Sequence, residues 1–167
     1  MKIRAGFISN SSSSSFIVAF PAGFRPTPAN VAAYLFAGRR GGLRLSGYAT
    51  PVSFADASAR IAAQMRRILP NDQERISHAL SGWLPGEPRS ERFRVAGGKT
   101  GETDWDAWHE ARKAYQAAYW AKVRPSLTAH GEDLYVFWFS DEGEAAEAIL
   151  ERGSVFRSAP HIKISHH

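Results

Sequence analysis

A hydroxyl, an imidazole and a carboxylate are available at the two ends of this 167-residue chain. Near the start, Asn10 is followed by the five consecutive serines Ser11 to Ser15. Near the end stand Asp141 and His166. Serine, histidine and aspartate are the inventory of nucleophilic hydrolysis: the imidazole takes the hydroxyl proton and the carboxylate orients the imidazole. Ser11, Ser15, Asp141 and His166 therefore form the candidate catalytic set. Asn10, Ser12, Ser13 and Ser14 are candidate binding groups, because small hydroxyl side chains leave backbone N–H groups accessible and add donors and acceptors. The sequence has no G-x-S-x-G elbow. The competing reading is structural. A serine run is also the composition of a flexible linker or frayed terminus, Asp141 suits a helix cap, and His166 is the penultimate residue of the sequence.

Other chemistries are less well supplied. Arg39, Arg40, Gly41 and Gly42 form a basic turn and the best short anion-binding candidate of the first half, without the spacing of a nucleotide-binding loop. Gly97, Gly98, Lys99 and Thr100 also lack the upstream glycine that such a loop needs. His161, His166 and His167 invite a metal, but six residues of strand put the outer two about 20 Å apart. His78 and His109 have no second histidine at helical spacing. The chain has no cysteine, so thiolate catalysis, disulfides and Cys-based zinc sites are excluded. No metal site and no cofactor are expected.

Three apolar runs must position the two ends. Residues 16–20 (FIVAF) are aromatic and β-branched, closed by Pro21, and predict a buried strand. Residues 134–139 (LYVFWF) predict a strand buried on both faces. After Pro160, residues 161–165 predict a last strand, with Ile162, Ile164 and His166 on one face. A helix capped by Ser140 or Asp141 and stopped by Gly153 should join the last two strands. That β-α-β unit predicts parallel pairing if both lie in one sheet. With residues 16–20 antiparallel to them, the serine run, Asp141 and His166 meet at one sheet edge, where ligands collect in open sheets. With residues 16–20 parallel, the serines sit a strand length away.

Helices fill the middle. Thr27 and Pro28 start one that ends near Gly38. Ser53 caps a second, in which Phe54, Ala57, Ile61, Met65 and Ile68 keep helical spacing up to Pro70. Asn71 and Glu74 predict a capping box for a third, carrying Ile76, Ala79, Leu80 and Trp83. The longest runs from Thr103 as cap to Pro125 as stop. Its stripe of Trp105, Trp108, Ala111, Tyr115 and Ala118 is expected in the core, or else is a partner-docking face, since Trp and Tyr are favoured interface anchors. Residues 43–48 and 92–95 are candidate short strands, and residues 85–102 a long Pro/Gly-rich loop.

The opening M-K-x-R-x-x-F-x-S-N-S-S-S-S-S-F resembles one that recurs in uncharacterised bacterial and phage-encoded proteins. Some of these also close on an acidic segment followed by an end similar to H-I-K-I-S-H-H. The matching stretches, residues 1–16 and 140–167, are about a quarter of the chain. The resemblance implies that the two termini belong to one design. It implies no mechanism.

Length predicts a single domain over residues 1–167, burying roughly 70% of its unfolded surface. The composition, 44% hydrophobic and 22% charged, is that of a globular protein. No apolar run nears the ~20 residues of a membrane span. The serine run interrupts any signal-peptide core, which with the lack of cysteine predicts a cytoplasmic location. The formal charge of +5 is unevenly spread: +8 over residues 1–70, −5 over 71–153 and +2 over the rest. Either the two parts face each other, or scattered arginines simply keep the surface solvated, or the basic half binds a polyanion weakly. The fold expected is α+β: a small mixed sheet of three or four strands, with the β-α-β unit, covered by four or five helices. The leading functional expectation is a bacterial or phage-encoded binding or assembly protein with a protein partner. The alternative is a small Ser/His/Asp hydrolase or transferase. Nucleic-acid binding through residues 1–70 is a third reading, resting on charge alone.

Overall fold

The computed structural model describes residues 13–44, 50–95, 102–140 and 155–166. Its centre is β1 (Ser13–Phe20), whose residues Phe16 to Phe20 are all buried. It pairs antiparallel with β5 (Asp133–Ser140) on one side and with β6 (His161–Ser165) on the other. β4 (Arg66–Ile68) adds to the far edge of β5, again antiparallel, for an order β4-β5-β1-β6. β2 (Gly42–Leu43) and β3 (Val52–Ser53) form a separate ribbon.

The α+β expectation holds, with one correction to the sheet. It is antiparallel throughout rather than mixed, because β1 inserts between β5 and β6. Those two strands share a direction but never pair with each other. The connecting helix expected between them lies outside the described residues.

Alternation along β1 sorts the core into two halves. Phe16, Val18 and Phe20 face one side with Tyr135, Phe137 and Phe139, under α1 (Pro28–Leu35) and α2 (Phe54–Gln64). Ile17 and Ala19 face the other with Leu134, Val136 and Ile164, under α3 (Gln73–Ala79) and α4 (Trp105–Leu127). The molecule is thus a helix–sheet–helix sandwich. The Tyr135 hydroxyl donates to the Phe24 carbonyl at 2.8 Å. Burial pushes its pKa up, the nearby Asp133 carboxylate adds to that, and Arg67 opposes it.

The charge asymmetry maps onto this sandwich. Among the described residues, the α1–α2 layer carries Arg25, Arg39, Arg40, Arg44 and Arg60 against Asp56 alone. The α3–α4 layer balances its charges. Among the described residues the excess positive charge therefore lies on the α1–α2 side of the sheet; Asp141, Glu142, Glu144, Glu147 and Glu151, which make the second part acidic, lie outside the described residues.

Four local expectations are corrected. The second helix ends at Gln64 rather than at Pro70: Met65 turns extended, and residues 66–68 pair with β5. Sheet pairing outweighed the helical spacing of Met65 and Ile68. Asp72, not Asn71, caps α3, accepting from the Arg75 amide at 3.1 Å. That helix stops at Ala79, before Trp83. Asp104, not Thr103, caps α4, which runs two residues past Pro125. Residues 92–95 form no strand; a 3-10 turn covers Ser90–Arg92, and Arg94 makes an isolated bridge to Thr103.

Candidate functional site

The antiparallel register brings the start of β1 to the C-terminal ends of β5 and β6. Ser13 lies opposite Ser140, and Ser14 opposite Ser165. Ser15 shares a face with Ile17 and Ala19, and His166 follows Ile164 on the same face. The His166 Nε2 lies 2.8 Å from the Ser15 Oγ. These two members of the candidate catalytic set therefore meet.

Their environment does not suit nucleophilic attack. Ser15 is 0% exposed. Its hydroxyl donates to the Ala79 carbonyl at 2.6 Å, at the end of α3 where helix carbonyls lack partners. A hydroxyl has one proton, so in the second contact Ser15 accepts and His166 Nε2 donates. The imidazole is then turned to give a proton to Ser15, the reverse of a general base. Asn10, Ser11, Ser12 and Asp141 lie outside the described residues. Ser14 is buried on the opposite face of β1. Arg39 and Arg40 are on the α1–α2 side, away from His166. The Arg39 guanidinium lies over the rings of Phe36 and Phe54, at 5.6 and 5.3 Å.

What the site holds instead is a pinned segment running from the end of α3 to the following loop. Four consecutive carbonyls are taken by side chains from elsewhere: Ala79 by Ser15, Leu80 by Gln116 at 3.0 Å, and Ser81 and Gly82 by Arg112. The Trp83 amide donates to the Ser165 carbonyl at 2.7 Å, on the outer edge of β6. Further on, Tyr115 donates to the Pro85 carbonyl, and Trp108 Nε1 to that of Pro88 at 2.9 Å. Glu87, buried, takes the Leu84 amide at 3.0 Å and pairs with Arg112. One face of α4, through Trp108, Arg112, Tyr115 and Gln116, thus holds the backbone of residues 80–88.

Gly82 is required by this arrangement. A Cβ there would come within 2.3 Å of the Ser165 carbonyl oxygen and 2.7 Å of an Ile164 methyl. Gly82→Ala must push β6 and the loop apart, at a cost of about 1–3 kcal/mol. Chemical denaturation should read that loss, and an unchanged midpoint would contradict the close approach.

With the backbone fixed, the side chains left outside are aromatic. Trp83 is 53% and Trp105 56% exposed. Trp105 meets the half-buried Trp108 edge-on, 5.5 Å between centroids, and the Arg112 guanidinium lies 5.4 Å from the Trp108 centroid. Trp83, Trp108, Arg112 and His166 line an open cleft of about 280 Å³. Of the aromatic stripe, Tyr115 packs against the core, and beyond the stripe Trp120 is buried in it. The buried residues of α4 are Gln116, Trp120 and Leu127, all in its second half, while Trp108, Arg112 and Tyr115 nearer its start bond to residues 81–88.

No family model, curated protein or solved structure matches this chain. Among the described residues, no group of three or more histidine or carboxylate side chains converges on a point where a metal could sit. None of their helices is long and apolar enough to cross a membrane.

Proposed function

We propose that the chain is a non-catalytic binding protein that recognises another macromolecule through the face presenting Trp83 and Trp105. The observation that carries this is the contrast between a rigid backbone and displayed indoles. Large apolar side chains are normally covered. Here two tryptophans are more than half exposed, over a segment whose carbonyls and amides are fastened by Ser15, Gln116, Arg112 and Glu87. Preorganised aromatic anchors lose little entropy on docking, and Trp and Arg dominate binding hot spots. The absence of cysteine suits a reducing compartment such as the cytoplasm.

Among the described residues, the Ser15–His166 contact is the feature that would favour the hydrolase reading, and its donor pattern speaks for a strut instead. Wild-type protein should not hydrolyse p-nitrophenyl acetate above the buffer rate. Ser15→Ala should lower stability by about 1–3 kcal/mol, because the Ala79 carbonyl and the His166 donor both lose a partner. Esterase activity that disappears in both Ser15→Ala and His166→Ala would overturn the binding reading in favour of catalysis.

A further inference from the structure

The geometry points to a binding site for a small aromatic monocarboxylate in the hollow between α3 and α4. The site is separate from the Trp83–Trp105 face and stands or falls independently of it. The hollow has a volume of about 170 Å³. Ile76, Leu80 and Trp120 line it and are all buried. Ser77 on α3 and Ala117 on α4 line it from the exposed side. Both are small, so neither helix fills the space between them.

Volume sets the size of the occupant. An apolar cavity of about 150 Å³ takes a benzene ring, so this hollow takes one ring and little more. A docking helix would need a longer row of anchor pockets, and the lining here spans only two turns of each helix, residues 73–80 and 113–120. A ring in the hollow lies against the Trp120 indole, and offset or edge-on aromatic pairs are favourable.

Charge sets the head group. Among the described residues, Lys113 is the only charged side chain that lines the hollow. It is exposed and has no ion-pair partner among the described residues. Glu74 and Glu110 are its nearest acidic neighbours along α3 and α4, and neither lines the hollow. Gln116, which does, is already spent: its Nε2 donates to the Leu80 carbonyl at 3.0 Å. A carboxylate at the rim meets the Lys113 ammonium while staying in water, and the ring goes inside. A neutral ring compound fills the same volume but leaves Lys113 unused, and a cationic one is repelled by it.

The test is a titration with benzoate, benzyl alcohol and benzylamine, read by nuclear magnetic resonance of the nitrogen-labelled protein. The Trp120 Nε1–H is buried without an acceptor among the described residues, so its resonance reports a ring arriving beside it. Its assignment comes from Trp120→Phe. Benzoate should shift it saturably, with a dissociation constant on the order of 1 mM, the range open to a ligand of about nine non-hydrogen atoms. Benzyl alcohol should bind more weakly and benzylamine weakest. Lys113→Gln should weaken benzoate roughly 2- to 5-fold, as an exposed ion pair allows, and leave benzyl alcohol unchanged. Ala117→Leu fills the hollow and should abolish both shifts. Lys113 and Ala117 are exposed helix positions, so both variants should melt like wild type. Three results overturn the site: no saturable shift with benzoate, benzyl alcohol binding as tightly as benzoate, or a benzoate shift that survives Ala117→Leu. None of them bears on the Trp83–Trp105 face, which contributes no residue to the hollow.

Discussion

Glu87→Ala should lower the stability of the protein by about 3–5 kcal/mol, the cost of breaking a buried ion pair from one side. The Glu87 side chain is 2% exposed, and its partner Arg112 is largely covered. One carboxylate oxygen accepts from Arg112 Nε, and the other accepts the Leu84 amide at 3.0 Å. Alanine would strand the amide and leave a guanidinium with no counter-charge. That guanidinium also holds the Ser81 and Gly82 carbonyls and covers the Trp108 ring, so the damage should spread to the presentation of Trp83. Glu87→Gln keeps an acceptor for Leu84 and should lose less. Arg112→Ala should cost as much as Glu87→Ala, while a double Glu87→Leu, Arg112→Met variant should recover part of the loss, since apolar replacements of a buried pair are tolerated. Urea denaturation reads the midpoints. Two single variants within about 1 kcal/mol of wild type would show that the pair is no clamp.

The strands were legible because their signals are local. The FIVAF and LYVFWF runs and the alternation of Ile162, Ile164 and His166 each mark their own faces, and the antiparallel option for β1 places Ser15 beside His166 without further information. The clamp was not legible. Glu87 and Arg112 are 25 residues apart, and Gln116 is 36 from the carbonyl it holds. No helical or strand period links such residues, and a lone glutamate after Pro85 and Gly86 reads as a solvated loop. Gly82 was the available signal: a glycine beside a tryptophan outside any turn motif marks a close backbone approach. Residues 65–68 failed for the opposite reason. Their periodicity is real, with Met65 and Ile68 both buried, but two residues buried three apart fit a turn into a strand as well as a continued helix. For Trp105 the core and the docking face both stayed open because a stripe fixes a direction and not the length of the surface beneath it; the structure leaves it exposed.

Phe20→Ala should cost about 3–5 kcal/mol, and the loss should be cooperative across the α1–α2 side of the sheet. Phe20 is 0% exposed at the end of the central strand. Its ring touches four others: Phe24 at 4.6 Å, Tyr34 at 5.1 Å, Tyr135 edge-on at 5.5 Å and Phe137 at 6.3 Å. Those rings come from the turn after β1, from α1 and from β5, so Phe20 is where three elements are joined. Alanine would leave a cavity bounded by stiff aromatic groups, which collapse poorly, and would forfeit ring–ring terms worth about 0.5–1.5 kcal/mol per pair. Phe20→Leu fills much of the volume without the quadrupole and should lose clearly less. The effect should stop at the sheet. Ile17 and Ala19 point the other way, and the Ser15, Arg112 and Glu87 contacts lie in the opposite layer. Phe20→Ala should therefore shift the denaturation midpoint strongly while leaving the folded protein's Trp83–Trp105 face intact. Loss of ligand binding by folded Phe20→Ala protein, at a temperature well below its melting point, would show that the two layers are coupled after all.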